Sequence, residues 1–243
     1  MDPVIVQVIV VATLAGLIQG LSGFAFALVA TSLLAWIVEP QVLAPTVVIT
    51  SLLGQITSLS SVGTRLRAEH ATPFLIGGVL GVPVGVLLLP LLDATAFRAS
   101  IGIVLIVYCS VMLGIKELPV FRRGSKRADG GVGLLAGILG GATGIPGPPV
   151  ILWCALRGWD KETQRATSQS FFIGIQVLIV GFYLATGLVN ARSLQLVLVA
   201  ALPIIISAWL GSRIFRRFTN HDFQRLIFGL LLISGIALVS SGL

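Results

Sequence analysis

Between Gly140 and Pro149 an otherwise apolar stretch, Gly133 to Gly158, carries Gly140, Gly141, Gly144, Pro146, Gly147, Pro148 and Pro149. Each Pro removes a backbone donor and clashes with the preceding turn, and Gly lowers helix propensity, so two short helices joined by unwound backbone are expected. A helix that starts after such a break presents its first N–H groups and the positive end of its dipole, which suits an anion. With the half-helix starting near Pro148, the candidate binding residues at this tip are Thr143, Gly144, Pro146, Gly147 and Pro148. A second break, at Ser22, Gly23 and Phe24 with Phe26 beside it, interrupts the N-terminal apolar run. Side chains able to flank a bound anion are Thr50, Ser51 and Gln55 on one segment and Thr167, Ser168 and Gln176 on another; Ser51, Gln55 and Ser58 share a helix face. Small polar residues also join helices to one another in membranes, and that use competes with the ligand reading.

The elements that position these residues are apolar helices. Of 243 residues 56% are hydrophobic and 10% charged, and the mean hydropathy is +1.04, values that place the chain in a bilayer. In hydrocarbon, unwound backbone is tolerated only where protein or a water-filled cavity satisfies it, so both breaks mark a binding site near the midplane. Eight apolar segments are visible, the two irregular ones among them. Shifted by 117 residues, Gly16, Leu17, Gly20, Gly23 and Ala25 fall on Gly133, Leu134, Gly137, Gly140 and Ala142, Trp36 on Trp153, and Thr50 and Ser51 on Thr167 and Ser168. A shared offset without gaps indicates an internal duplication. The expected organisation is a first repeat over 1–116 (hairpin 4–38; helices 42–62, 71–92 and 97–115), a basic cytoplasmic linker over 117–130, and a second repeat over 131–243 (hairpin 131–157; helices 164–189, 194–212 and 222–243).

Charge sets the orientation. The net charge of +7 lies in short loops and not on an aromatic-studded soluble face, so nucleic acid is not a partner. Placing the basic loops around Arg65, Lys116 to Arg127 and Arg213 to Arg225 inside requires that each irregular segment enter and leave on one side. Fourteen of the sixteen Lys and Arg are then cytoplasmic, all but Arg98 and Arg192. Each half becomes a re-entrant hairpin plus three crossings, and the halves run in opposite directions. The fold expected is an all-α integral membrane protein of two inverted four-segment repeats. Arg165 reads as a guide at the cytoplasmic entrance, or as a topology determinant. Met1 to Val38 lacks a basic start and is too long for a signal core, so it is expected to be retained. Cys109 and Cys154 lie inside apolar segments and read as small buried hydrophobes.

Catalytic constellations are missing: there is no H-E-x-x-H, G-x-S-x-G or G-x-x-x-x-G-K-[ST], and His70 and His221 are at loop positions. No catalytic residue, metal site or cofactor is expected. The acidic residues Glu39, Asp93, Asp160 and Glu162 are placed at segment edges, leaving no carboxylate proton relay within a span. Coupling to a proton or a sodium ion stays open, with unwound carbonyls as the cation ligands.

These residues resemble the TauE/SafE family, also called the 4-toluene sulfonate uptake permease family. The resemblance rests on Gly20-Leu-Ser-Gly-Phe-Ala-Phe-Ala-Leu-Val-Ala, on Gly137-Ile-Leu-Gly-Gly-Ala-Thr-Gly-Ile-Pro-Gly-Pro-Pro-Val, and on Gly158-Trp-Asp-Lys and Arg165-Ala-Thr downstream. It covers the whole chain, with Gly144 to Pro149 its most specific part. It implies a bacterial inner-membrane carrier of small sulfur-containing or organic anions, built from two related four-segment halves. The first half departs from the commoner pattern in Phe24-Ala-Phe-Ala and Thr31-Ser32. The function expected is a non-enzymatic secondary transporter of sulfite, sulfonate or carboxylate anions by alternating access. The alternatives are a passive anion channel and a membrane structural or assembly protein. Partners are the anion and the bilayer, and a homodimer is compatible with the sequence.

Overall fold

Helix starts fall where the sequence supplies caps, and the breaks fall at the two glycine-marked tips. The computed structural model describes residues 2–62, 68–114, 125–215 and 221–240, which form ten α-helices and one 3-10 turn, with no strand among them. In order they are α1 Pro3–Ser22, α2 Phe26–Leu34, α3 Pro40–Val62, α4 Ala68–Leu88 with the 3-10 turn Leu89–Leu91, α5 Ala94–Gly114, α6 Lys126–Thr143, α7 Gly147–Leu156, α8 Lys161–Ala185, α9 Ala191–Phe215 and α10 His221–Ser240. The loop cations Arg65, Arg67, Lys116, Arg122, Arg123, Arg216 and Arg217, and the expected span ends at 115 and 241–243, lie outside the described residues.

Asp2 accepts from the Val4 N–H at 3.0 Å to open α1, and Asp160 accepts from the Thr163 N–H at 2.9 Å to open α8. Ser125 accepts from the Ala128 N–H at 3.2 Å, so α6 begins within the stretch expected to be linker. Asp129 therefore sits in the first turn of α6 and is 3% exposed, a buried carboxylate missing from the acidic residues that the sequence placed at segment edges. Gly23 at φ 86° ends α1 and Gly144 at φ 78° ends α6, left-handed positions that favour glycine. In α7, Pro148 and Pro149 occupy the first turn, where a missing N–H costs no intrahelical bond.

Among the described residues, six helices are long and apolar enough to cross a membrane: Pro3–Ser22, Pro40–Ser61, Glu69–Leu91, Ala94–Gly114, Glu162–Ala185 and Ala191–Arg213. Large apolar side chains such as Leu87, Leu91, Leu198 and Leu202 face outward, while Gln19, Ser51, Gln55, Thr167, Gln169 and Gln176 are buried. That inversion of the soluble-protein pattern is the one lipid selects, because polar groups there must turn to the bundle interior.

The most extensive contact joins α4 to α6, followed by α1 to α9. Both are made by small residues. An added Cβ on Gly81 would strike the Leu134 carbonyl, one on Gly137 would come within 2.6 Å of the Gly78 oxygen, and one on Gly20 within 2.6 Å of the Ser212 nitrogen. Backbones this close are held by packing and not by a hydrophobic driving force. Exchanging α1 to α5 with α6 to α10 in order turns the α1–α9 contact into α6–α4 and α3–α9 into α8–α4, and leaves α3–α8 and α5–α10 unchanged.

Contacts along the helices also give their directions. Asp2 bonds Arg192 at 2.7 Å, Gly16 meets Ile204 and Ser207, and Gly20 meets Ala208 and Gly211, so α1 and α9 run the same way. Thr46 meets Ser193, Gly54 meets Ile204 and Ser58 meets Ser212, so α3 runs that way too. Because α1 and α3 are parallel, α2 must return the chain between them.

Candidate functional site

The first tip is held by side chains. The Ser22 hydroxyl donates to the Ile18 carbonyl at 2.8 Å and accepts from the Phe24 and Ala25 N–H groups at 3.3 and 3.1 Å. The first N–H of α2, from Phe26, donates to Gln19 Oε1 at 3.0 Å. The second tip is held by proline and by Tyr183, whose hydroxyl donates to the Gly141 carbonyl at 2.7 Å. Pro148 and Pro149 carry no N–H, so Gly147 is the backbone donor among the first three positions of α7. The row of open backbone donors expected from the sequence is thus largely absent, while the N-terminal dipole ends of α2 and α7 remain.

Both tips border one cleft. Its walls are Phe24, Ala27 and Leu28 from the first tip, Ile145, Pro146 and Gly147 from the second, Ser51 and Gln55 from α3, and Phe172 and Gln176 from α8. Its atom-free space, open solvent included, is ≈ 280 Å³, yet its walls stand so close that its centre has room for little more than a water molecule. Gln55 Oε1 accepts from Gln19 Nε2 at 3.0 Å, and Gln176 Nε2 donates to Ser51 Oγ at 2.8 Å. Gln55 Nε2 and Gln176 Oε1 are buried without a hydrogen-bond partner. Native structures seldom leave such groups unmet, so each calls for a ligand or water.

The candidates from the sequence divide by position. Phe24, Ser51, Gln55, Pro146, Gly147 and Gln176 line the cleft. Ser22 and Thr143 are turned to their own helices, the latter donating to the Leu139 carbonyl at 2.7 Å, and Thr50 likewise donates to Thr46 at 2.6 Å. Gly144 packs on α3, where a Cβ would lie 3.3 Å from the Ala44 carbonyl. Phe26, Pro148, Thr167 and Ser168 are buried outside the lining, and the Thr167 hydroxyl has no partner. Arg165 and Gln169 reach the first tip, their nitrogens 3.7 and 3.6 Å from a Cβ built on Gly23.

Gln19 and Asp129 were not singled out in the sequence. An amide next to the break in an otherwise apolar helix is the signal that marks Gln19; the other amide of α1, Gln7, lies near its start and is exposed. Asp129 accepts from Trp153 Nε1 at 2.7 Å and lies 3.7 Å from Arg157, tying the start of α6 to the end of α7. Arg157 stands over the Trp159 ring at 5.2 Å, and Trp159 meets His70 at 5.1 Å.

The sequence matches the family Sulfite exporter TauE/SafE over residues 8–238, nearly its whole length. The chain belongs to the TauE/SafE family. It is therefore a multi-pass membrane transport protein, from a family of transporters and not of enzymes, and a bacterial inner membrane is consistent with its six apolar helices. Comparisons with curated proteins and with solved structures returned no significant match.

Proposed function

We propose that this TauE/SafE chain is a secondary carrier of small organic or sulfur-containing anions, working by alternating access, with the anion bound between the two tips. The observation that carries this reading is the cleft that both tips share, with the unpartnered Gln55 Nε2 in its wall. An amide N–H₂ and two helix N-termini offer partial positive charge without a side chain that must be desolvated as an ion. The cleft's tight centre favours a closed carrier site over an open pore.

The proposal extends to topology. Both breaks act as re-entrant hairpins, and the halves are inverted. Asp2, Arg98 and Arg192 gather at one end of the bundle, with Arg98 stacked on Trp36 at 5.5 Å, while Asp129, Arg157 and Trp159 gather at the other. With Lys126 and Arg127 opening α6, Arg165 near the start of α8 and Arg213 near the end of α9, the second end carries more of the described cations, which makes it cytoplasmic by the positive-inside rule. Arg165, half-buried beside Gly23, draws anions toward the first tip from that side.

Uptake and efflux of sulfite and sulfoacetate in proteoliposomes test the function. The double variant Gln55→Leu, Gln176→Leu should fold and lose transport. Transport at the wild-type rate by that variant would refute the tip site.

A further inference from the structure

The cleft's donor character depends on the direction in which the Gln55 amide faces, and that direction is set outside the cleft. A backbone N–H can only donate, so the Gln19 atom 3.0 Å from the Phe26 nitrogen must be Oε1. The other Gln19 atom is then Nε2, consistent with the Ser51 carbonyl 3.3 Å away, which can only accept. Gln19 Nε2 also lies 3.0 Å from a Gln55 side-chain atom, which must be its oxygen. The Gln55 nitrogen is what remains, buried, without a partner, on a residue that lines the cleft. Gln19 itself is 0% exposed and outside the lining.

We infer that Gln19 is a positioning residue for anion selectivity: it carries the polarity of the Phe26 N–H at the start of α2 through to Gln55, and so fixes the Gln55 amide as a hydrogen-bond donor on the α3 side of the cleft. The same bonds tie the break between α1 and α2 to α3. Movement of α2 relative to α1 that draws Phe26 from Gln19 leaves the 3.3 Å contact with the Ser51 carbonyl as what keeps Gln19, and through it Gln55, in this orientation. The inference rests on the anion reading above and adds to it the residue that enforces the sign.

The test is a double-mutant cycle on binding to the purified full chain in detergent, with sulfite and methanesulfonate as probes and wild-type and variant thermal unfolding followed in parallel. Gln55→Leu should weaken binding by about tenfold or more, the worth of one hydrogen bond to a charged group. Gln19→Met keeps the side chain's length and removes its bonds, and it should weaken binding several-fold in the wild-type background. In the Gln55→Leu background it should have no further effect, because its route to the anion is gone. Gln19→Glu is not used in the cycle, because its carboxylate would repel an anion whether or not Gln55 is present. If Gln19→Met fails to fold, Gln19→Leu, which also removes the bonds without adding a charge, carries the cycle. A Gln19 effect of equal size in both backgrounds, or none in either, overturns the relay and leaves the anion site standing. A wild-type chain that binds neither probe overturns the anion reading and the relay with it.

Discussion

Asp129 offers the sharpest test of how the second broken segment is closed. Its carboxylate accepts from Trp153 Nε1 at 2.7 Å, and its Oδ2 lies 3.7 Å from Arg157 Nη2, the Arg and Asp side chains being 14% and 5% exposed. A hydrogen bond to a charged acceptor is worth about 1.5–3 kcal/mol net. Breaking a well-buried ion pair costs about 3–5 kcal/mol, but that figure assumes contact geometry and a cation left with nothing. Here the separation exceeds a hydrogen bond and the guanidinium keeps its place over Trp159 at 5.2 Å, so the ionic part is smaller. Asp129→Ala should therefore cost about 2–3 kcal/mol, chiefly the stranded indole N–H. Asp129→Asn keeps an acceptor for Trp153 and should cost about 1 kcal/mol. Reversible unfolding in mixed detergent micelles measures both. Trp153→Phe should match Asp129→Ala, and the double variant should cost much less than the sum. Equal losses for Ala and Asn, or additive losses for the pair, would refute the assignment of the closure to this bond.

Two further outcomes follow from the tips and caps. Gly144→Ala should destabilise more than Gly23→Ala: both pay about 1–2 kcal/mol for the left-handed backbone, but only at Gly144 does the Cβ come within 3.4 Å of a neighbour, the Ala44 carbonyl at 3.3 Å. Indistinguishable unfolding midpoints would contradict this. The hydroxyl and N–H of Thr163 hold the Asp160 carboxyl below its ordinary value, so its stabilising contribution is present above the unfolded-state pKa and is lost as pH falls through the lower folded value. Against Asp160→Asn, the wild-type Tm advantage should shrink below about pH 4, and a constant difference between pH 3 and 7 would count against the cap.

Much of the architecture was legible because lipid imposes a coarse grammar on sequence. Length and apolarity alone place the long helices, and proline clustered with glycine cannot continue one, so the break at Gly144 to Pro146 could be read directly. The site was less legible, for a physical reason. Thr50 and Thr143 look like ligand groups in the sequence, but a hydroxyl on a helix readily bonds the carbonyl one turn back, and both do so. Asp129 was hidden because its neighbours Lys126 and Arg127 make the stretch read as a loop, whereas the Ser125 cap starts a helix there and Trp153 gives the carboxylate a partner. Gln19 was hidden because its role depends on two residues, Phe26 and Gln55, that only the fold brings beside it.

The 117-residue offset in the sequence accounts for the scaffold better than for the cleft. At the shared offset of 117, Trp36 and Trp153 are alike, but Gln19 stands opposite Ala136, Ala12 opposite Asp129 and Ser22 opposite Leu139. The first break is consequently stitched by polar side chains and the second by proline, Tyr183 and an ion pair at its base. The same offset pairs Gln55 with Phe172, and both line the cleft. At that position two identical halves would have given two amides or two rings; this chain gives one of each, and Gln176 and Phe24 are the cleft's second amide and second ring. On the proposed anion reading, a guest with one charged head meets the Gln55 amide on the α3 side and the Phe172 ring beside Gln176 on the α8 side. The Gln19 to Gln55 bond then sets which atom of the Gln55 amide that head meets.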